Sequence, residues 1–175
     1  GSSVKVYVSK LEIGPKGPFI MLSRSHYGFV KRLLEIEIPE LSDGTIMLYS
    51  VARDAGSRSK IAVYTEYTNV DPIGRRIANV LKELSGEKID VILYDKDPVK
   101  FIANALSPAK DVKVSIKDET KKEALALVND KNLSLAIGKK GQNVKLASRL
   151  THYKIEVKPE EQENTETTEE TSVEE

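Results

Sequence analysis

Two glycines three residues apart, with two lysines between them, have the types and spacing that could do chemistry: Gly138-Lys139-Lys140-Gly141. Apolar, helix-prone segments flank them, Leu133–Ile137 before and Gln142–Leu150 after. A helix does not continue comfortably through two glycines this close, so the chain must turn here. The next helix then starts at Gly141, with its first N–H groups unpaired and its dipole positive at that end. Two ammonium groups beside such a start make a seat for a phosphate.

A second stretch with the same literal spacing, Gly14-Pro15-Lys16-Gly17, acts as a control. It lies between Val4–Glu12 and Phe19–Arg24, rich in β-branched and aromatic residues, and reads as a strand–turn–strand connection. With no helix start beside it, this copy offers a phosphate nothing.

The remaining inventory argues against catalysis. Gly141 is followed by Gln142 where a nucleotide-binding loop needs Lys-Ser/Thr. No nucleophile–base pair or carboxylate cluster stands out. The chain has no cysteine, and its two histidines, His26 and His152, have no metal-ligand spacing. No metal, no cofactor and no enzyme activity are expected. No run approaches the roughly 18 apolar residues of a membrane span, and a cytoplasmic monomer is expected.

The formal net charge of zero conceals an uneven distribution. From Pro159 onward the chain holds eight acids and no base. Setting those eight aside, the 27 acids fall to 19 against 27 bases, a surplus of +8 in residues 1–158. A basic body points to a polyanion partner, and the acidic segment 159–175 reads as disordered, either a competitor for that surface or a solubility device.

The elements that must position the glycine loop follow from periodicity. Val4–Arg24 reads as a hairpin after Gly1-Ser2-Ser3, which looks like a tag-cleavage scar. His26–Ile38 is helical until Pro39, and Thr45–Val51 and Lys60–Thr65 are strands around the polar loop 53–58. Arg75–Leu84 is helical and Ile89–Tyr94 is a strand. The order then repeats. Pro98–Leu106 is a helix capped by Asp97, Asp111–Lys117 and Glu123–Val128 are strands, Asp130–Ile137 and Gln142–Leu150 are helices, and Lys154–Lys158 is a strand. The repeat ends rhyme at an offset of 66 residues, Leu84-Ser-Gly-Glu-Lys-Ile-Asp-Val91 beside Leu150-Thr-His-Tyr-Lys-Ile-Glu-Val157. Each repeat is expected to be an α/β (α+β) unit, a three-stranded sheet with helices packed on one face. Only Asp95 and Lys96 separate the first unit's last strand from the cap at Asp97, so the two units should form one rigid body.

Helix–Gly-x-x-Gly–helix inside a small α/β unit resembles the KH domain, and a leading helix with two strands before the loop resembles its type II form. Longer stretches narrow this. Ser134–Ala147, Phe101-Ile-Ala-Asn-Ala-Leu-Ser-Pro108, Gly86-Glu-Lys-Ile-Asp90 and Ser50–Lys60 resemble the NusA family of bacterial transcription elongation, termination and antitermination factors, in its C-terminal RNA-binding region. The resemblance implies residues 1–26 as scar and truncated remnant of an OB-fold barrel, 27–95 as a first KH domain, 96–158 as a second with an intact loop, and 159–175 as the tail. In the first unit Val70–Ile77 runs directly into the helix where the family has its Gly-x-x-Gly, so that loop reads as shortened or missing.

The implied function is to hold single-stranded nascent RNA between the glycine loop with its helices and the sheet edge, with RNA polymerase and other Nus factors as partners of the full-length protein. Gly138 and Gly141 let the backbone approach the ribose-phosphate chain, and Lys139 and Lys140 add charge. Asn143 offers an amide to a base edge or phosphate. Ile137 and Val144 are candidate floor and equally candidate core. Lys145 and Arg149, four apart on one helical face, extend the basic surface or form an ordinary solvated face. Arg53, Arg58, Lys60, Arg75 and Arg76 could continue the track across the first unit. Two alternatives stay open, a KH scaffold for protein docking and the RNA-holding region of an exoribonuclease.

Overall fold

The computed structural model describes residues 1–66, 73 and 77–160. The chain opens with an antiparallel hairpin, β1 (Tyr7–Gly14) and β2 (Gly17–Ser23), whose register pairs Gly14 with Gly17 across the turn. The control copy of the glycine spacing is therefore a hairpin turn. The hairpin forms a sheet of its own and leaves Val8, Leu11, Ile13, Phe19, Ile20, Met21 and Leu22 exposed.

The first unit begins with α1 (Tyr27–Glu37), where the His26 imidazole caps the helix by accepting from Gly28 N–H. Pro39 does more than close this helix. It is the first residue of a short second one, α2 (Pro39–Asp43), which Gly44 ends in the left-handed conformation. Strands β3 (Met47–Asp54) and β4 (Arg58–Tyr64) pair antiparallel, β5 (Lys88–Leu93) joins β4 in parallel, and α3 (Ala78–Glu83) leads into it. The expected loop 53–58 is shorter than its polarity implied, because Arg53 and Asp54 continue β3 and pair with Ser59 and Arg58.

The second unit repeats this plan. Asp97 caps α4 (Pro98–Ala105) by accepting from Val99 N–H. Strands β6 (Lys113–Asp118) and β7 (Glu123–Val128) are antiparallel, and β8 (Lys154–Pro159) joins β7 in parallel. Between β7 and β8 lie α5 (Asp130–Ile137) and α6 (Gln142–Thr151), linked by one turn of 3-10 helix, Lys139–Gly141. Both sheets thus have one architecture, with the second strand in the centre.

The core shows how the units join. Helices α1 and α3 cover one face of the first sheet through Phe29, Leu33, Val80 and Leu84 against Ile61 and Val63. The opposite face of that sheet, Ala52, Ala62 and Ile92, packs with Phe101, Ile102, Ala105, Leu146 and Leu150 of the second unit's α4 and α6. Those helices also cover Ala124, Ala126 and Ile155 of their own sheet. The order is helices, sheet, helices, sheet. This explains why Ser59–Val63 is buried without alternation. Small side chains on both sheets, Ala52, Ala62, Ala124 and Ala126, let the shared helices sit close to each.

Candidate nucleic-acid interface

The glycine loop is built by three residues in unusual backbone conformations. Gly138 ends α5 with φ 75° and ψ 170°, its N–H donating to Ser134 O at 2.9 Å. Lys140 and Gly141 then both take left-handed angles, φ 54° and 73°. At Gly138 a Cβ would lie 2.7 Å from Asn143 Cβ and 2.8 Å from Asn143 N, so only glycine fits. The chain reverses within four residues, and α6 starts at once with no side chain capping its first N–H groups.

The cations around this turn face outward. Lys139, Lys140, Lys145 and Arg149 are exposed, and none pairs with an acid among the described residues. Lys145 Nζ donates to Lys140 O at 3.3 Å, which lays that side chain back over the loop. Ile137 and Val144 are half-buried, with Val144 packed against the main core. Beside them Leu135 is 46% exposed. Sequence reasoning missed Leu135, although a signal was present: Leu133, Ala136 and Ile137 keep helical core spacing and Leu135 falls out of it.

Three of the residues placed in the RNA track, Asn143, Arg53 and Lys60, belong to the interior instead, and a fourth, Arg58, is half-buried in an ion pair. Asn143 is buried, and its Nδ2 donates to Leu106 O, Leu135 O and Ala136 O at 3.0–3.1 Å. Its Oδ1 is buried with no hydrogen-bond partner among the described residues. It ties α5, α6 and the end of α4 together and offers no amide to a base. Arg53 is equally committed: its guanidinium binds both oxygens of Glu87 and donates to Arg24 O and His26 O, with the two side chains 5% and 1% exposed. Glu87 also accepts from Ser59 Oγ at 2.6 Å and Gly56 N–H at 2.9 Å. Burial works against that charge, but the bonds from Arg53, Ser59 and Gly56 hold the carboxyl below the usual carboxylate range.

Arg58 and Lys60 share a second carboxylate, Asp90. Arg58 binds it with two parallel bonds, 2.7 and 2.9 Å, and Lys60 Nζ donates to it at 3.2 Å and to Ser107 O at 2.7 Å. Burial pushes the Lys60 ammonium below the ordinary lysine range, with Asp90 opposing the shift. Asp90 is lowered in spite of its own burial, by the Arg58 hydrogen bonds and the charges of Lys60 and Arg58. Arg53, Arg58 and Lys60 are in this way claimed by carboxylates of the first unit itself. Arg75, Arg76 and the expected loss of the first glycine loop lie outside the described residues.

One contact across the units touches the loop directly. Gln142, the first residue of α6, donates from Nε2 to Asp54 Oδ2 and Ser57 Oγ, both at 2.7 Å. The β3–β4 turn of the first unit therefore grips the helix start of the second. At the other end of α6, Ser50 Oγ donates to Leu150 O at 2.8 Å.

Two three-stranded sheets of this topology, one with an intact Gly-x-x-Gly between its helices, define tandem type II KH domains. Residues 24–94 match the NusA-like first KH domain, and residues 98–165 match the NusA-like second KH domain. The transcription termination/antitermination proteins NusA of Halalkalibacterium halodurans and Bacillus subtilis are each 51% identical over 164 residues, covering 90% of this chain and 43% and 44% of their own lengths. That of Thermus thermophilus is 44% identical over 162 residues, 89% of this chain and 42% of its own. The chain belongs to the NusA-like tandem KH family and spans less than half the length of these relatives. The crystal structure of APE1850 shares the fold, with a TM-score of 0.50 and 22% identity over 74% of this chain and 96% of that one.

Proposed function

We propose that this chain is the RNA-holding part of a bacterial transcription termination and antitermination factor. Single-stranded nascent RNA lies between the Gly138–Gly141 loop with its helices and the sheet edge, and holding it modulates pausing and termination by RNA polymerase in the cytoplasm. The chain acts by binding, without catalysis, and RNA polymerase and other Nus factors are partners of the longer protein.

One observation carries this reading. Two exposed lysines with no acid partner among the described residues stand at the start of α6, whose first N–H groups have no side-chain cap there, between two glycines that carry no Cβ. Lys145, Ile137, Val144 and Leu135 extend the seat. The β1–β2 hairpin fits the reading as remaining strands of an OB-type barrel, since it exposes apolar side chains that a barrel would cover. The acidic segment that follows residue 160 is a competitor for the same cations, and deleting it tightens binding most at low salt.

The test is fluorescence anisotropy of a labelled single-stranded RNA with the Lys139→Asp/Lys140→Asp variant. Binding is lost while the circular dichroism spectrum and melting temperature are kept. Unchanged affinity would sink the reading.

A further inference from the structure

Helix α6 links the glycine loop to an aromatic cluster at its far end. The helix lies along β3 in the opposite sense, with Gln142 held at Asp54 and Leu150 held at Ser50. Lys145 and Arg149 stand exposed on it, about 6 Å apart along the axis. Just past Leu150 the rings of Tyr49 and Tyr94 stack, with centroids 3.8 Å apart and planes at 20°. The edges of Phe101 and Tyr64 meet Tyr94 at 5.0 and 6.0 Å. Phe101 is buried, whereas Tyr49, at the outer end of the stack, is 52% exposed. An open pocket of about 320 Å³ adjoins it, lined in part by Lys96, Lys122, Asp95 and Glu119.

We propose that Tyr49 is a base-stacking platform for single-stranded RNA that leaves the glycine loop along the Lys145–Arg149 side of α6. This rests on the loop being the phosphate seat. The stack beneath Tyr49 fixes the ring before any ligand arrives, so a base meets a rigid surface and little side-chain freedom is lost. The path from loop to ring is lined by cations with no acid partner among the described residues. The two carboxylates of the pocket are matched by its two lysines, so the pocket carries no net charge to draw a phosphate and the exposed ring face is the contact it offers. Such a platform accepts any base, because every base has a π face.

The test compares two labelled RNAs on the full chain, one of about four nucleotides, the length a KH loop clamps, and one of about twelve. Tyr49→Ala is expected to weaken the longer RNA about tenfold, within the range of stacking losses, and to leave the shorter unchanged, while Tyr49→Phe keeps both affinities. A 2-aminopurine near the end of the longer RNA is quenched by the wild-type chain and less so by Tyr49→Ala. Equal affinity of Tyr49→Ala and wild type for the longer RNA overturns the platform, and so does an equal loss for both lengths. Failure of the wild-type chain to bind the four-nucleotide RNA overturns the loop reading instead, a result distinct from either.

Discussion

The two KH units share a strand order and differ in what their basic residues face. In the first, Arg53, Arg58 and Lys60 turn inward to Glu87 and Asp90. In the second, Lys139, Lys140, Lys145 and Arg149 turn outward. The sheets differ in the same way. The first is covered on both faces, and the second shows solvent a face of charged pairs, Lys117–Glu156, Lys158–Glu156 and Lys154–Glu123. Three cations held by carboxylates therefore make an adhesive core in one unit, and four without an acid partner among the described residues make an anion-attracting surface in the other. A positive charge attracts RNA only when no carboxylate has claimed it first.

The largest break in this comparison comes from separating the units. A chain of residues 1–95 leaves Ala52, Ala62 and Ile92 without their cover, so it should self-associate or fail to fold, as read by sedimentation velocity and circular dichroism. Next comes Glu87→Ala, which strands the buried Arg53 charge. It should cost about 3–5 kcal/mol in urea unfolding, the range for breaking one side of a buried pair. Lys139→Ala, on the surface of the other unit, should cost less than about 0.5 kcal/mol in the same assay.

Acid sharpens the contrast further. Glu87 and Asp90 are both held below the usual carboxylate range. Their contribution is complete above the unfolded carboxylate values and is lost as pH falls through the lowered folded ones. Melting temperature should therefore fall below about pH 4, and Glu87→Gln should flatten that fall. The smallest effect is in salt dependence. Replacing Lys139 and Lys140 by Ala should make the slope of log affinity against log salt shallower by about 1.4, whereas Arg58→Ala leaves the slope unchanged.

Much of this was legible from residue order. The glycine spacing, the helix starts at Asp97 and Gln142 and the repeat of elements follow from local rules, which act over a few residues. The partners of the charged side chains do not. Arg53 and Arg58 sit in a polar stretch with Gly56 between them and look like loop residues, but their carboxylates are 34 and 32 positions away on the chain. Asn143 similarly looked like a reader of bases, and its three acceptors include Leu106, 37 positions distant. Hydrophobic periodicity gave no sign that one sheet is covered twice, although the unbroken burial of Ser59–Val63 was its trace. The loop at Gly138 was legible because its chemistry is local.

The shared position of α4 and α6 also sets an order of events during synthesis. The ribosome delivers the first sheet before the residues that cover its second face, which run from Phe101 to Leu150. The nascent first unit must therefore wait, with an apolar face open, until some fifty more residues have emerged, about 3–10 s at ordinary elongation rates. Over that interval the chain depends on whatever shields the face, and the gain of full protection should coincide with the appearance of the glycine loop and its helix. The proposed RNA seat and the completed fold of its neighbour arrive together.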